Sequence, residues 1–129
     1  MNFLTKYAPH LLAILRIVTG LQFLEHGLSK LIGFPAAAGA TAHALSIPAF
    51  PFGPAGVIET VGGTLIILGL FSRYAAFICS GEMAIGYFMI HFSRSPYPTL
   101  NGGALAICFC FIFLYIAAAG PGSFAVNQK

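Results

Sequence analysis

Eight side chains in this sequence have types that could do chemistry: Arg16, Gln22, Glu25, His26, Lys30, Glu59, Glu82 and His91. Together they supply carboxyls, imidazoles, an ammonium, a guanidinium and an amide, a set able to donate, accept and relay protons. They sit within otherwise apolar stretches. An ionisable group in hydrocarbon costs roughly 2.5 kcal/mol or more unless it faces protein or water. The stretches that carry these groups therefore need neighbours, and the chemistry they suit is proton-coupled chemistry on a lipophilic molecule. A quinone fits that description, as an apolar ring whose two oxygens take hydrogen bonds and protons. The spacing defines no nucleophile–base pair, so no catalytic residue is assigned.

The segment Arg16 to Lys30 holds the densest part of this set. At about 100° per residue, Arg16, Thr19, Gly20, Phe23, His26, Gly27 and Lys30 share one side of a helix. Gln22, Glu25 and Ser29 form an adjoining strip, and Ile14, Ile17, Leu21, Leu24, Leu28 and Leu31 fill the rest. This predicts one aliphatic side for lipid and one broad polar side for a protein interior, where Gly20 and Gly27 allow a second backbone to come close.

The elements that must position these groups follow from composition. Only 7% of the 129 residues are charged and 58% are hydrophobic. Soluble domains run near a quarter charged, so lipid is the expected solvent. The net charge of +3 comes without any basic run, which leaves nucleic-acid binding unsupported. Cys79, Cys108 and Cys110 form no C-x-x-C pair and read as small buried hydrophobes. Arg16 interrupts the first apolar run and no small-x-small cleavage pattern comes after it, so the first helix is expected to remain.

Four apolar stretches stand out, about 9–33, 54–71, 74–92 and 101–120, each near the roughly 20 residues that cross a bilayer. No period-two alternation supports a barrel. The expected fold is all-α, an integral membrane four-helix bundle forming a single domain over 1–129. The apolar connection 34–53 is read as a cap over the bundle, with a short interfacial helix over 36–45. Ser93 to Leu100 forms a second cap on the same side. Four spans place Lys6, Arg73 and Lys129 on one side and Lys30 and Arg94 on the other, which favours cytoplasmic termini in a cell membrane.

This topology brings the polar groups to similar depth. Counting 1.5 Å per residue, Glu25, His26, Lys30, Glu59 and His91 share one half of the membrane, with Glu82 near its middle. Together with Arg16 and Gln22 they predict a pocket walled by Phe23, Phe34, Phe50 and Phe52. Blander readings stand beside it. Arg16, Glu59 and Glu82 could pair as structural ions, Lys30 could snorkel to the interface, His10 and His43 read as interfacial, and His91, about 180° from Glu82 on an ideal helix, could meet headgroups. A metal on Glu25, His26, Glu59 and His91 is disfavoured because adjacent residues diverge by about 100°. Haem is disfavoured because no two histidines face each other at one depth.

The pattern resembles the DoxX family of small four-helix membrane proteins. Its carriers are Arg16-x-x-x-Gly20, Phe23-x-x-His26-Gly27-x-x-Lys30, Pro48, Glu59-x-x-Gly62-Gly63-x-x-Ile66-x-x-Gly69, Arg73, Glu82-Met83-x-x-Gly86, Asn101-Gly102-Gly103 and Gly120-Pro121-Gly122-Ser123. The resemblance covers about residues 9–127. It implies a bacterial or archaeal cytoplasmic-membrane protein linked to thiosulfate:quinone oxidoreductase and to membrane-associated oxidoreductase complexes. Where family members often carry an acid after Asn-Gly-Gly, this chain has Ala104, and near the acidic position after Gly-Pro-Gly it has Asn127. Three functions are compatible with these observations: a redox-associated subunit binding quinone, a membrane anchor for a soluble oxidoreductase partner, and a small homo-oligomeric transporter.

Overall fold

The computed structural model describes residues 2–36, 38–39 and 49–129. Among the described residues the chain is all-helical, without strands. A 3-10 turn, Asn2–Tyr7, leads into α1, Ala8–Ile32. Then come α2, Phe52–Leu68, and α3, Ser72–Gly86, which continues as a π turn over Tyr87–His91. A short α4, Pro98–Asn101, precedes α5, Ala104–Ala119. Most of the surface helix expected over 36–45, together with His43 and Pro48, lies outside the described residues.

The stretch Asn2–Ile32, 31 residues, is long and apolar enough to cross a membrane. α2 and α5 are apolar but shorter, at 17 and 16 residues. Their ends explain the difference from the expected spans. Gly69, at φ 67°, takes the left-handed conformation that stops α2 and returns its amide to Ile66. The fourth stretch does not begin as one helix at Asn101. Gly102, at φ 72°, closes α4 there, and α5 starts afresh at Ala104.

α1 packs along α2, α2 turns tightly into α3, and α3 packs along α5. The α1–α2 seam is made of small residues. A Cβ on Gly27 would lie 2.6 Å from the Thr60 amide nitrogen, and one on Gly63 would lie 2.9 Å from that of Leu24. These backbones are therefore in contact, as the spacing of Gly20 and Gly27 predicts. The buried side of α1 is Ala13, Arg16, Thr19, Gly20, Phe23 and Gly27. The strip carrying Gln22, Glu25 and Ser29 is exposed instead. The apolar core gathers Phe23, Ile66, Ala76, Cys79, Phe113 and Ile116. Phe23 packs edge-on against Phe113, with ring centroids 4.7 Å apart.

Arg16 is fully buried, but it enters no ion pair with Glu59 or Glu82. Its guanidinium donates to the carbonyls of Ile66 and Ile67, each at 2.7 Å, Pro121 at 2.8 Å and Phe124 at 2.9 Å. The last turn of a helix leaves carbonyls without partners and carries partial negative charge. Arg16 answers both for α2 and also ties down the segment after α5. Arg73 does the same for α5, donating to Ala117 at 3.1 Å and Ala118 at 2.6 Å. The C-terminal segment then lies across this end of the fold, with Ser123 donating to the Pro9 carbonyl and Val126 to that of Leu68.

Candidate ligand cavity

At the opposite end from the two arginines, α1, α2, α3 and α5 surround a cavity of ≈ 780 Å³. Its walls are mainly apolar, with Phe23, Phe50, Phe52, Ile58, Met83 and Phe109 among them. Its polar lining comes from His26, Lys30, Glu59, Glu82, His91 and Arg94. Five of the eight residues singled out by type thus meet in one space, from three separate helical elements. Arg16 is not among them, because it serves the other end of α2. Gln22 and Glu25 lie on the exposed strip of α1, outside the lining. Of the expected aromatic walls, Phe34 is 59% exposed and lies outside the lining.

Lys30 and Glu59 form a salt bridge across the α1–α2 seam, with Lys30 Nζ donating to Glu59 Oε1. Lys30 therefore does not simply reach out to an interface. Glu59 is 2% exposed at its side chain and Lys30 is 26% exposed, so the acid is the inner partner. Lys30 reaches it because Gly56, one turn below Glu59, lets α1 come close: a Cβ there would lie 3.0 Å from Lys30 Cβ. Oε2 of Glu59 and Oε2 of Glu82 are both buried without a hydrogen-bond partner among the described residues. An unsatisfied buried polar atom costs about 1–3 kcal/mol, and more when charged. Two such atoms at one cavity leave open positions that a bound molecule's donors or carbonyl oxygens would complete, the latter meeting a protonated carboxyl.

His91 reaches this lining through the π turn. On a continuous α-helix it would project about 180° from Glu82. A π turn accommodates one extra residue, which rotates the residues after it back by about 100°. The bond from the Phe92 amide to the Tyr87 carbonyl, 2.9 Å, marks this turn. His91 Nδ1 lies 3.0 Å from the Asn101 carbonyl oxygen. A carbonyl can only accept, so Nδ1 carries the proton, and Nε2 is the nitrogen left for other partners. His26 stands on the α1 side, edge-on to Phe109 with centroids 5.9 Å apart.

Asn101 is the residue that reading by chemical type missed. It is 1% exposed and uses every group it has. Its Nδ2 donates to Tyr87 Oη at 3.1 Å and to the Ser95 carbonyl at 2.9 Å, while Oδ1 accepts from the Gly103 amide at 2.7 Å. It thereby fixes the loop before α5 against the π turn that carries His91. The signal was present as Asn101-Gly102-Gly103, since a Cβ on Gly103 would strike the Tyr87 ring at 2.6 Å. Arg94 was also missed as a lining residue, because loop position alone does not reveal which way a side chain faces. Among the described residues, no three of His, Cys, Asp and Glu converge closely enough to hold a metal ion.

This all-helical fold, with Glu59 and close-packed glycines on α2 set against Arg16 and Lys30 of α1, has the features of a known family. The DoxX family pattern matches residues 11–92. An uncharacterized protein of Haemophilus influenzae is 44% identical over the whole of this chain and 97% of its own length. The chain belongs to the DoxX family. No solved structure matches it significantly. The family pattern ends before Asn101, so the loop that holds His91 lies outside it, while the Haemophilus relative spans that region as well.

Proposed function

We propose that this chain is a four-helix membrane protein of the cytoplasmic membrane whose cavity binds a quinone or a similar lipophilic molecule, as the membrane part of a redox system. The carrying observation is the mismatch inside the cavity. Its wall is largely apolar, yet Glu59 and Glu82 each present an unpartnered carboxyl oxygen beside Lys30, His26 and His91. A ligand pocket of this kind, mostly apolar with a few convergent polar groups, suits a ring with hydrogen-bonding oxygens. Lys30, Glu59, Glu82 and the imidazoles are the groups that would hydrogen-bond those oxygens and exchange protons with them. Electrons would come from a soluble reductase partner. α1, α2, the helix formed by α3 with its π turn, and α5 would be the spans, with Lys6, Arg73 and Lys129 on the cytoplasmic side.

The test is purification of the full chain in mild detergent, followed by lipid extraction and mass spectrometry. Quinone should co-purify with the wild type and be lost in Glu59→Gln and His26→Ala, with membrane insertion unchanged. Retention of quinone by both variants at normal expression rejects the site. A stoichiometric soluble protein without quinone would instead identify an anchor.

A further inference from the structure

Two glycines of α3 are not explained by the fold. Most other glycines in the helices have a visible cause. Gly27 and Gly63 let α1 and α2 touch, and Gly62 makes room for Cys79. Gly81 and Gly86 have helical backbones, and a Cβ built on either meets nothing within 4 Å. Glycine is poorer than alanine inside a helix, so both positions carry a cost with no return within the protein. Both line the cavity. On α3 they lie about 140° apart, flanking the strip that carries Ile78, Ile85, Met89 and Glu82, all of it lining.

The two margins differ. At the Gly81 margin the lining is open to the outside: Phe77 is 66% exposed, Ile78 58% and Ile85 62%, all apolar. The Gly86 margin leads instead to half-buried His91 and to Gly102 and Leu105 at the start of α5. A second observation points to an occupant. Glu59, fully enclosed, lines the same cavity with Oε2 unpartnered.

Building on the ligand class proposed above, we propose that Gly86 makes the seat for the ring of a quinone-like molecule beside Glu82 and His91, and that Gly81 keeps open a sideways portal along α3 through which its apolar tail reaches the bilayer. The bare backbone at Gly86 gives a flat ring a surface without a side chain in its plane. The bare backbone at Gly81 lets a chain of methylene or isoprenoid units leave the cavity without crossing a polar layer. The ligand is therefore a molecule with a small oxygen-bearing ring and a long apolar tail, entering from the membrane and not from water.

The experiment uses the full chain in detergent and two probes: ubiquinone-0, which is the ring alone, and decylubiquinone, which adds a ten-carbon tail. Binding is read as the ligand-induced rise in melting temperature and as a dissociation constant. Gly86→Leu should weaken both probes about tenfold or more, by overfilling the ring seat. Gly81→Leu should weaken decylubiquinone by a similar factor and leave ubiquinone-0 unchanged. Both variants, and Gly81→Ala and Gly86→Ala, should melt at or above the wild-type temperature without ligand, which separates a blocked site from a damaged fold. Cys108→Leu, adding bulk on the exposed side of α5, should change neither probe's affinity. Wild-type affinity for both probes in Gly81→Leu and Gly86→Leu overturns the seat and portal while leaving the cavity's ligand class standing. Failure of the wild type to bind either probe overturns the ligand class and this inference together.

Discussion

Lys30 of α1 and Glu59 of α2 form a salt bridge in which the acid is enclosed and the amine stands at the cavity. The pair is asymmetric in a way that matters. Glu59 has its second oxygen unsatisfied even with Lys30 in place. Removing Lys30 would leave a carboxyl with no partner at all, whereas removing Glu59 leaves an ammonium able to turn toward the cavity mouth. Lys30→Met should therefore destabilise the fold more than Glu59→Gln, by about 3 kcal/mol against about 1 kcal/mol, given that Lys30 is partly exposed. Lys30→Met with Glu59→Gln should recover most of the loss, since no uncompensated carboxylate is then left behind. A double-mutant cycle on reversible unfolding in mixed detergent measures this, and equal losses in the two single variants would count against the asymmetry.

Arg16 should behave as a structural residue, separable from the cavity. It satisfies carbonyls from α2 and from the segment after α5 at once. Arg16→Lys keeps the charge but cannot reach the same acceptors in a fork. We expect Arg16→Lys to lose about 2 kcal/mol and Arg16→Ala about 4 kcal/mol or more, with buried carbonyls of α2 left bare. Limited proteolysis reads the consequence directly: the segment after Gly120, protected in the wild type, should become the first site of cleavage. Ligand affinity in Arg16→Lys should stay near the wild-type value, because the cavity is at the far end of α2. A selective loss of binding with stability unchanged would place Arg16 in the site after all.

Asn101 should act on the ligand through His91. Asn101→Asp keeps an oxygen for the Gly103 amide but loses both donors, to Tyr87 and to Ser95. Asn101→Ala loses all of them. Stability should fall in that order, by about 1–3 kcal/mol for each buried group left unpaired. Binding should weaken in the same order, since the loop that Asn101 holds carries the carbonyl against which His91 Nδ1 is set. Dissociation constants measured beside unfolding midpoints for both variants check this. A variant with altered stability but wild-type affinity would limit Asn101 to holding the loop.

Much of the helix pattern was legible without coordinates, for a physical reason. Apolar runs, glycines at helical spacing and terminating Gly-Pro pairs are local signals, and they locate α1, α2 and α3 within a few residues. Because Phe23, Gly27 and Gly63 each occupy a single face, the α1–α2 seam follows from periodicity alone. The meeting of His26, Lys30, Glu59 and Glu82 was also anticipated, because antiparallel helices of similar length return these positions to one depth, a depth that His91 shares.

The linear chain by itself therefore determined helix placement, the close seam and the shared level of the polar groups. Tertiary structure alone decided which acceptor each of those groups takes. Arg16 answers main-chain carbonyls from residues 105 and 108 positions away, Gln22 and Glu25 turn outward, and a π turn brings His91 to the cavity wall. Side-chain type and helical angle state what a residue can bond. Which partner stands within 3 Å depends on how whole helices end and cross, and no single segment contains that information.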